Sequence, residues 1–265
     1  MLFVRLLLMT IAAYTMPATH GVPDVANAHP NQAPGTNPYA SVGLIPVPPG
    51  FSRVPVPGNS FAGWLRSLPL KKSKTVYTYS GVQKPNQSAQ FAVIDISTGD
   101  KDLQQCADAV IRLRAEFLFS QQQFAAIDFV DNNKTHYRLP PGAARPAFDR
   151  YLQTVFAYCG TASLEKQLLP VVDFNQVNAG DVLIRGGSPG HAMLVMDVAM
   201  DARGSKVYLL AQSYMPAQDM HVVLNPARPG SPWYAANDQT DIITPEWTFR
   251  KQQLRKWPSH SYSKD

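Results

Sequence analysis

The sequence predicts an α+β fold in which helices come first and an antiparallel sheet follows. Three observations carry this. Cys106, Val110, Leu113 and Phe117 recur at helical spacing and share one face of the longest helical stretch, which begins near Asp100 or Asp102. A second helical stretch over about 147–158 stops at Gly160. From 181 onward the pattern becomes four short strand-like runs separated by turns, at 181–184, 191–198, 207–211 and 220–224.

In chain order, a short positive start with Arg5, an apolar run over 6–16 and the small-residue pattern Ala26-Asn27-Ala28 match an export signal, so residues 1–28 are expected to be a signal peptide. The apolar run is too short to cross a bilayer, and no integral membrane segment is expected after its removal. The expected compartment is periplasmic or secreted. Residues 29–58, rich in Pro, Gly and Asn, read as an extended tether. Asn59 or Ser60 can cap a short helix carrying Phe61, Trp64 and Leu65. The runs 76–79 and 91–96 look like strands, 127–130 and 135–139 like a hairpin joined at Asn132-Asn133, and 162–168 like a short third helix. A single α+β domain is therefore expected over 59–257, followed by a tail at 258–265.

Composition narrows the function classes. The chain of 265 residues is 45% apolar, only 16% charged, and carries 23 prolines and a net charge of +5. Such a small surplus, without basic residues gathered on one face, argues against nucleic-acid binding and fits work near an anionic surface such as a cell envelope. Lys71, Lys72 and Lys74 lack interleaved aromatics and read as a solvated loop. The histidines form no metal-ligand spacing, and there is no phosphate-cradling Gly-rich loop, so no metal or cofactor is implied. Gly186-Gly187-Ser188-Pro189-Gly190 matches G-x-S-x-G, but a strand rather than a helix follows, so it reads as a turn and not a nucleophile elbow.

The remaining chemistry gathers on three residues. His191 opens an apolar strand. Pairing Val198 with Val207 in the hairpin around Asp201-Ala202-Arg203-Gly204 sets His191 level with Tyr214 and brings Gln212 within reach of the imidazole. The amide oxygen of Gln212 can accept from the ring and fix its tautomer. Cys106 lies in the first turn of the longest helix, where the partial positive charge favours a thiolate. Nucleophile, base and orienter then follow one another as Cys106, His191 and Gln212. Two other fates remain open for Cys106: a small apolar residue packed in the core, or a disulfide with Cys159, worth roughly 4 kcal/mol in the chain-entropy model.

The segments 102–109, 180–182, 187–192, 211–218, 231–234 and 244–247 resemble a family of secreted bacterial proteins known only as a domain of unknown function (4846). More distantly, Gly180-Asp181-Val182 followed by Gly190-His191 at a strand start, and then a polar residue on the next strand, is similar to the papain-like cell-wall peptidases and amidases of the NlpC/P60 and CHAP groups. That likeness implies a papain-like arrangement and a cysteine nucleophile at a helix start. Here the cysteine stands in Gln105-Cys106-Ala107 rather than in the usual Asp-Cys-Ser-Gly context. The expected activity is hydrolysis or transfer at an amide bond, with a peptide or peptidoglycan-like substrate. A backbone N–H near Cys106, helped by Gln104 or Gln105, would hold the oxyanion, and Gln105, Tyr214, Trp233 and Tyr234 would bind substrate. The second reading is a non-catalytic envelope protein binding a peptide or glycan beside Tyr214, Met215, Trp233 and Tyr234.

Overall fold

The computed structural model describes residues 35–237 and 240–258. The signal segment 1–28, the first residues of the expected tether and the tail from 259 lie outside the described residues. In chain order the strands are β1 (Phe51–Arg53), β2 (Gln90–Val93), β3 (Asp128–Val130), β4 (His136–Arg138), β5 (Leu169–Pro170), β6 (Val182–Arg185), β7 (His191–Asp201), β8 (Lys206–Gln212), β9 (His221–Val223), β10 (Trp233–Ala236), β11 (Asp241–Ile243), β12 (Thr248–Arg250) and β13 (Leu254–Lys256). The helices are α1 (Phe61–Ser67), α2 (Cys106–Ser120), α3 (Arg145–Tyr158) and α4 (Thr161–Gln167). Among the described residues no helix is long and apolar enough to cross a membrane.

The fold is α+β, and nine of these strands make one sheet in the order β2-β9-β8-β7-β6-β13-β5, with β1 added to β7 and β10 to β8. All its pairings are antiparallel. The centre is the β7–β8 hairpin, whose ladder shifts by one residue between Val195 and Asp197. Below the shift β7 pairs with β6, and above it with β1. The near-continuous apolar run of β7 reflects burial on both faces. Ala192, Leu194 and Met196 join the core that also contains Val110, Ile111 and Leu113 of α2. Met193, Val195 and Val198 join a second core with Phe249 and Ile242 of the β11–β12 hairpin.

The helix starts follow local chemistry. Ser60 Oγ accepts from the Gly63 N–H and caps α1, in line with one of the two candidate caps. The α2 helix begins later than expected, at Cys106. Asp108 Oδ2 reaches back to the N–H of Gln105 at 3.0 Å, while Asp102 Oδ1 instead accepts from the Ala217 N–H at 2.6 Å. The run 76–79 is not a strand; it makes only isolated bridges from Tyr77 to Gln83 and from Thr78 to Gln218.

The expected tether needs correction over its described part. Val42 and Ile45 are fully buried in the core, and β1 pairs with β7. Arg53 and Arg66 both reach the buried carboxylate of Asp197, at 2.7 and 2.6 Å. Prolines there shape a docked strap, because extended backbone suits both a linker and a segment lying along a sheet.

Candidate functional site

The first turn of α2 points at the start of β7. The Cys106 thiol lies against the backbone amides of Cys106 itself, Ala107 and Ala192. Two of these are first-turn N–H groups, which a helix leaves without internal partners. The expected activated thiolate is not what this environment favours. Burial, joined by the nearby Asp108 carboxyl, pushes the Cys106 thiol up and outweighs those amides. Asp108 is itself driven well above the usual carboxylate range by burial, and its Oδ1 has no hydrogen-bond partner. Cys106 and Cys159 are both free and buried, so no disulfide joins them. Burial holds the Cys159 thiol up at about 12.

His191 is almost wholly buried. By strand alternation its side chain belongs with Met193 and Val195, on the face away from α2. Its ring sits 4.9 Å from Tyr214, 5.3 Å from Trp247 and 5.8 Å from Phe249. Nε2 is 2.8 Å from Gln212 Oε1, and Nδ1 makes no hydrogen bond among the described residues. An amide oxygen only accepts, so Nε2 carries the ring proton and Nδ1 presents its lone pair. Burial lowers the imidazole to about 4, helped by the charge on Lys84 and opposed by the bond from Gln212. At neutral pH, therefore, the thiol is protonated and the ring neutral. Cys106 and His191 approach the start of β7 from its two sides, and no hydrogen bond joins thiol to ring among the described residues. Tyr214, half-buried, stands beside both.

Behind Gln212 lies a buried polar cluster. Gln212 Nε2 donates to Glu246 Oε2 at 2.7 Å and approaches His221 Nε2 at 3.3 Å. Glu246 also receives Lys84 Nζ at 2.6 Å and Asn86 Nδ2 at 3.2 Å. His221 Nδ1 is 2.9 Å from the Asp219 carbonyl, which assigns its proton to Nδ1. Burial lowers His221 to about 3. Burial also lowers Lys84, against the pull of Glu246. Trp247 comes from the tip of the β11–β12 hairpin, where Thr244 and Trp247 bond reciprocally: the Thr244 hydroxyl donates to the Trp247 carbonyl at 2.7 Å and accepts the Trp247 N–H at 3.1 Å.

Sequence reasoning missed Lys84, Glu246, Trp247 and Phe249. They come from a loop and a three-residue-strand hairpin with no periodicity to place them. The one available signal was the run Thr244-Pro245-Glu246-Trp247, one of the segments that carry the family resemblance. Gln105 stands half-buried at the cap of α2, with its Nε2 on Asp102 at 3.1 Å. Trp233 and Tyr234 are not substrate-binding surface and need correction. Trp233 is buried with its Nε1 on the Pro46 carbonyl, and Tyr234 is buried with its hydroxyl on the Leu224 carbonyl. Both lie in β10, opposite Leu209 and Tyr208, away from His191. A cleft of about 300 Å³ opens beside loop 97–101 and α3. Gln104, two residues before Cys106, lines it, and Cys106 does not.

No curated protein and no solved structure matches the chain. A family model matches residues 43–141 and 130–256, which takes in Cys106, His191, Gln212 and Glu246. On that match the chain belongs to the family described as Domain of unknown function (4846).

Proposed function

We propose that the protein is an exported cysteine hydrolase or transferase of papain-like arrangement, acting on an amide bond, with peptides of the cell wall as its substrate class. The observation that carries this reading is the His191 ring, held by Gln212 with Nε2 protonated and Nδ1 left without a hydrogen bond among the described residues, one position before Ala192, whose backbone amide meets the Cys106 thiol. Nδ1 takes the thiol proton as Cys106 Sγ attacks the carbonyl carbon. The N–H groups of Cys106 and Ala107 hold the oxyanion. The imidazolium, steadied by Gln212 Oε1, returns its proton to the leaving amine, and a thioester remains. Water then releases an acid, or a second amine takes the acyl group. The neutral resting pair makes His191 a general base for a thiol rather than the partner of a standing thiolate.

The second reading, a non-catalytic envelope binding protein on the same fold, draws on the burial and raised thiol of Cys106. Incubation of the protein with peptides released from cell wall, read by mass spectrometry, separates the two. Cleavage or transfer lost in both Cys106→Ala and His191→Ala supports the enzyme. Absence of turnover, together with Cys106 alkylation unchanged by His191→Ala, supports the binder.

A further inference from the structure

We propose that Glu246 is a positioning residue that sets the proton tautomer of His191 by locking the side-chain amide of Gln212. The inference rests on the proposed role of His191 as base, but the lock itself is a matter of geometry. Gln212 stands between two imidazoles and a carboxylate. A side-chain amide can turn over, exchanging its donor and acceptor ends at little steric cost. Its environment decides which end faces which neighbour.

At one end Oε1 meets His191 Nε2 at 2.8 Å. At the other, Nε2 meets Glu246 Oε2 at 2.7 Å and His221 Nε2 at 3.3 Å. A carboxylate only accepts, so Glu246 demands the NH2 end of the amide. The His221 contact agrees, because the Asp219 carbonyl holds the His221 proton on Nδ1 and leaves Nε2 as an acceptor. The reversed amide would set oxygen against the carboxylate and against that lone pair. It would also turn an NH2 toward His191 Nε2, which would then have to give up its proton to Nδ1. In that form the nitrogen needed as a base is blocked.

Glu246 is in turn held in place. Lys84 Nζ at 2.6 Å balances its charge, with both side chains nearly buried, and Asn86 Nδ2 binds its second oxygen at 3.2 Å. The Thr244–Trp247 turn fixes the hairpin tip on either side of it. That tip delivers Glu246 to Gln212 and Trp247 to the His191 ring together. Among the described contacts to the amide nitrogen of Gln212, the carboxylate is the shorter and the charged one, so it governs the orientation.

Long-range proton–nitrogen NMR on the ¹⁵N-labelled chain reads the tautomer directly and needs no substrate. The wild-type protein is expected to show His191 protonated at Nε2 and His221 at Nδ1. Glu246→Gln, whose amide oxygen can still accept from Gln212, is expected to keep that state. The double variant Lys84→Met/Glu246→Leu removes both charges together, so that neither is left buried alone. It is expected to shift the His191 tautomer ratio toward Nδ1–H by roughly tenfold or more, the order carried by one charge-assisted hydrogen bond. A wild-type His191 protonated at Nδ1 overturns the proposal at once, whether or not any variant folds. So does a folded double variant with His191 unchanged at Nε2. Failure to find turnover would remove the amide chemistry and leave this lock standing, so the two ideas fail separately.

Discussion

Replacing Asp197 by Asn tests how the N-terminal strap is held. Asp197 sits fully buried just beyond the ladder shift in β7 and accepts from two guanidiniums, Arg53 Nε at 2.7 Å and Arg66 Nε at 2.6 Å. The Val198 N–H adds a third bond at 2.8 Å. Arg53 and Arg66 extend the clamp to the carbonyls of Ile45 and Val54. In Asp197→Asn the amide NH2 must face one guanidinium, donor against donor, and the remaining oxygen is neutral. Breaking a buried ion pair costs about 3–5 kcal/mol. The side chains of Arg53 and Arg66 are 25% and 17% exposed, so water partly relieves them and the lower end, about 3 kcal/mol, applies. Against a typical domain stability of about 5–15 kcal/mol this is a large fraction. Urea unfolding followed by tryptophan fluorescence measures it as a lower midpoint at unchanged slope. Hydrogen exchange then localises the loss, with amides of 45–54 opening about a hundredfold more readily than in wild type. A variant within about 1 kcal/mol of wild type, with 45–54 still protected, would refute the reasoning and return this strap to a loosely attached leader.

Four further outcomes are expected. His221 is held at about 3, below the unfolded value of about 6.5, so the unfolded chain takes up its proton first as pH falls. The advantage in unfolding free energy of wild type over His221→Gln therefore shrinks by up to about 1.4 kcal/mol per pH unit on going from pH 6.5 to 4, measured by urea titration at each pH. Alkylation of Cys106 by iodoacetamide, followed by peptide mass spectrometry, is slow at pH 7 and climbs about tenfold per pH unit toward pH 9, since its thiol is raised; a plateau below pH 7 would contradict that. Gly190→Ala would drive a Cβ to 2.4 Å from the Gly187 carbonyl and 2.8 Å from that of Arg185, displacing His191; loss of the His191 Nε2–H signal from its wild-type NMR position reports it. Trp233→Phe orphans the Pro46 carbonyl and costs about 1–3 kcal/mol in urea unfolding, yet leaves the pH profile of Cys106 alkylation unchanged, because β10 lies apart from the site.

Much of the scaffold was legible because its elements are long or periodic. The helices at 106–120 and 145–158 and the strands around 182–212 announce themselves by spacing and turn residues. The level pairing of His191 with Tyr214 came from a register that is one residue off in the distal hairpin, where Val198 faces Tyr208 rather than Val207. The ladder shift at Met196 cancels that offset in the proximal ladder, where Leu194 faces Ala211, and beyond its end the His191 and Tyr214 rings stand 4.9 Å apart. A bulge of this kind leaves no mark in the hydrophobic pattern. The polar cluster behind Gln212 was hidden for a different reason. Lys84 and Glu246 are 162 residues apart, and each alone looks like a solvated charge; only the fold buries them together. Trp233 and Tyr234 misled because an aromatic side chain on a strand has the same sequence signature in a core as beside a groove.

The strap clamped on Asp197 has a consequence for the order of folding. Arg53 and Asp197 are separated by 144 residues, and β1 can find its place in the ladder only after β7 exists. The sheet joins β2 to β9 over a similarly long stretch of chain, and β13 to β6 over about half that length. Such non-local closure places the domain among slow folders, whose loop-closure entropy must be met before the contacts that reward it can form. The strap, which precedes every other strand of the sheet in the chain, is thus among the last parts to be sealed, and until then the edge of β7 and the apolar residues Val42 and Ile45 face solvent.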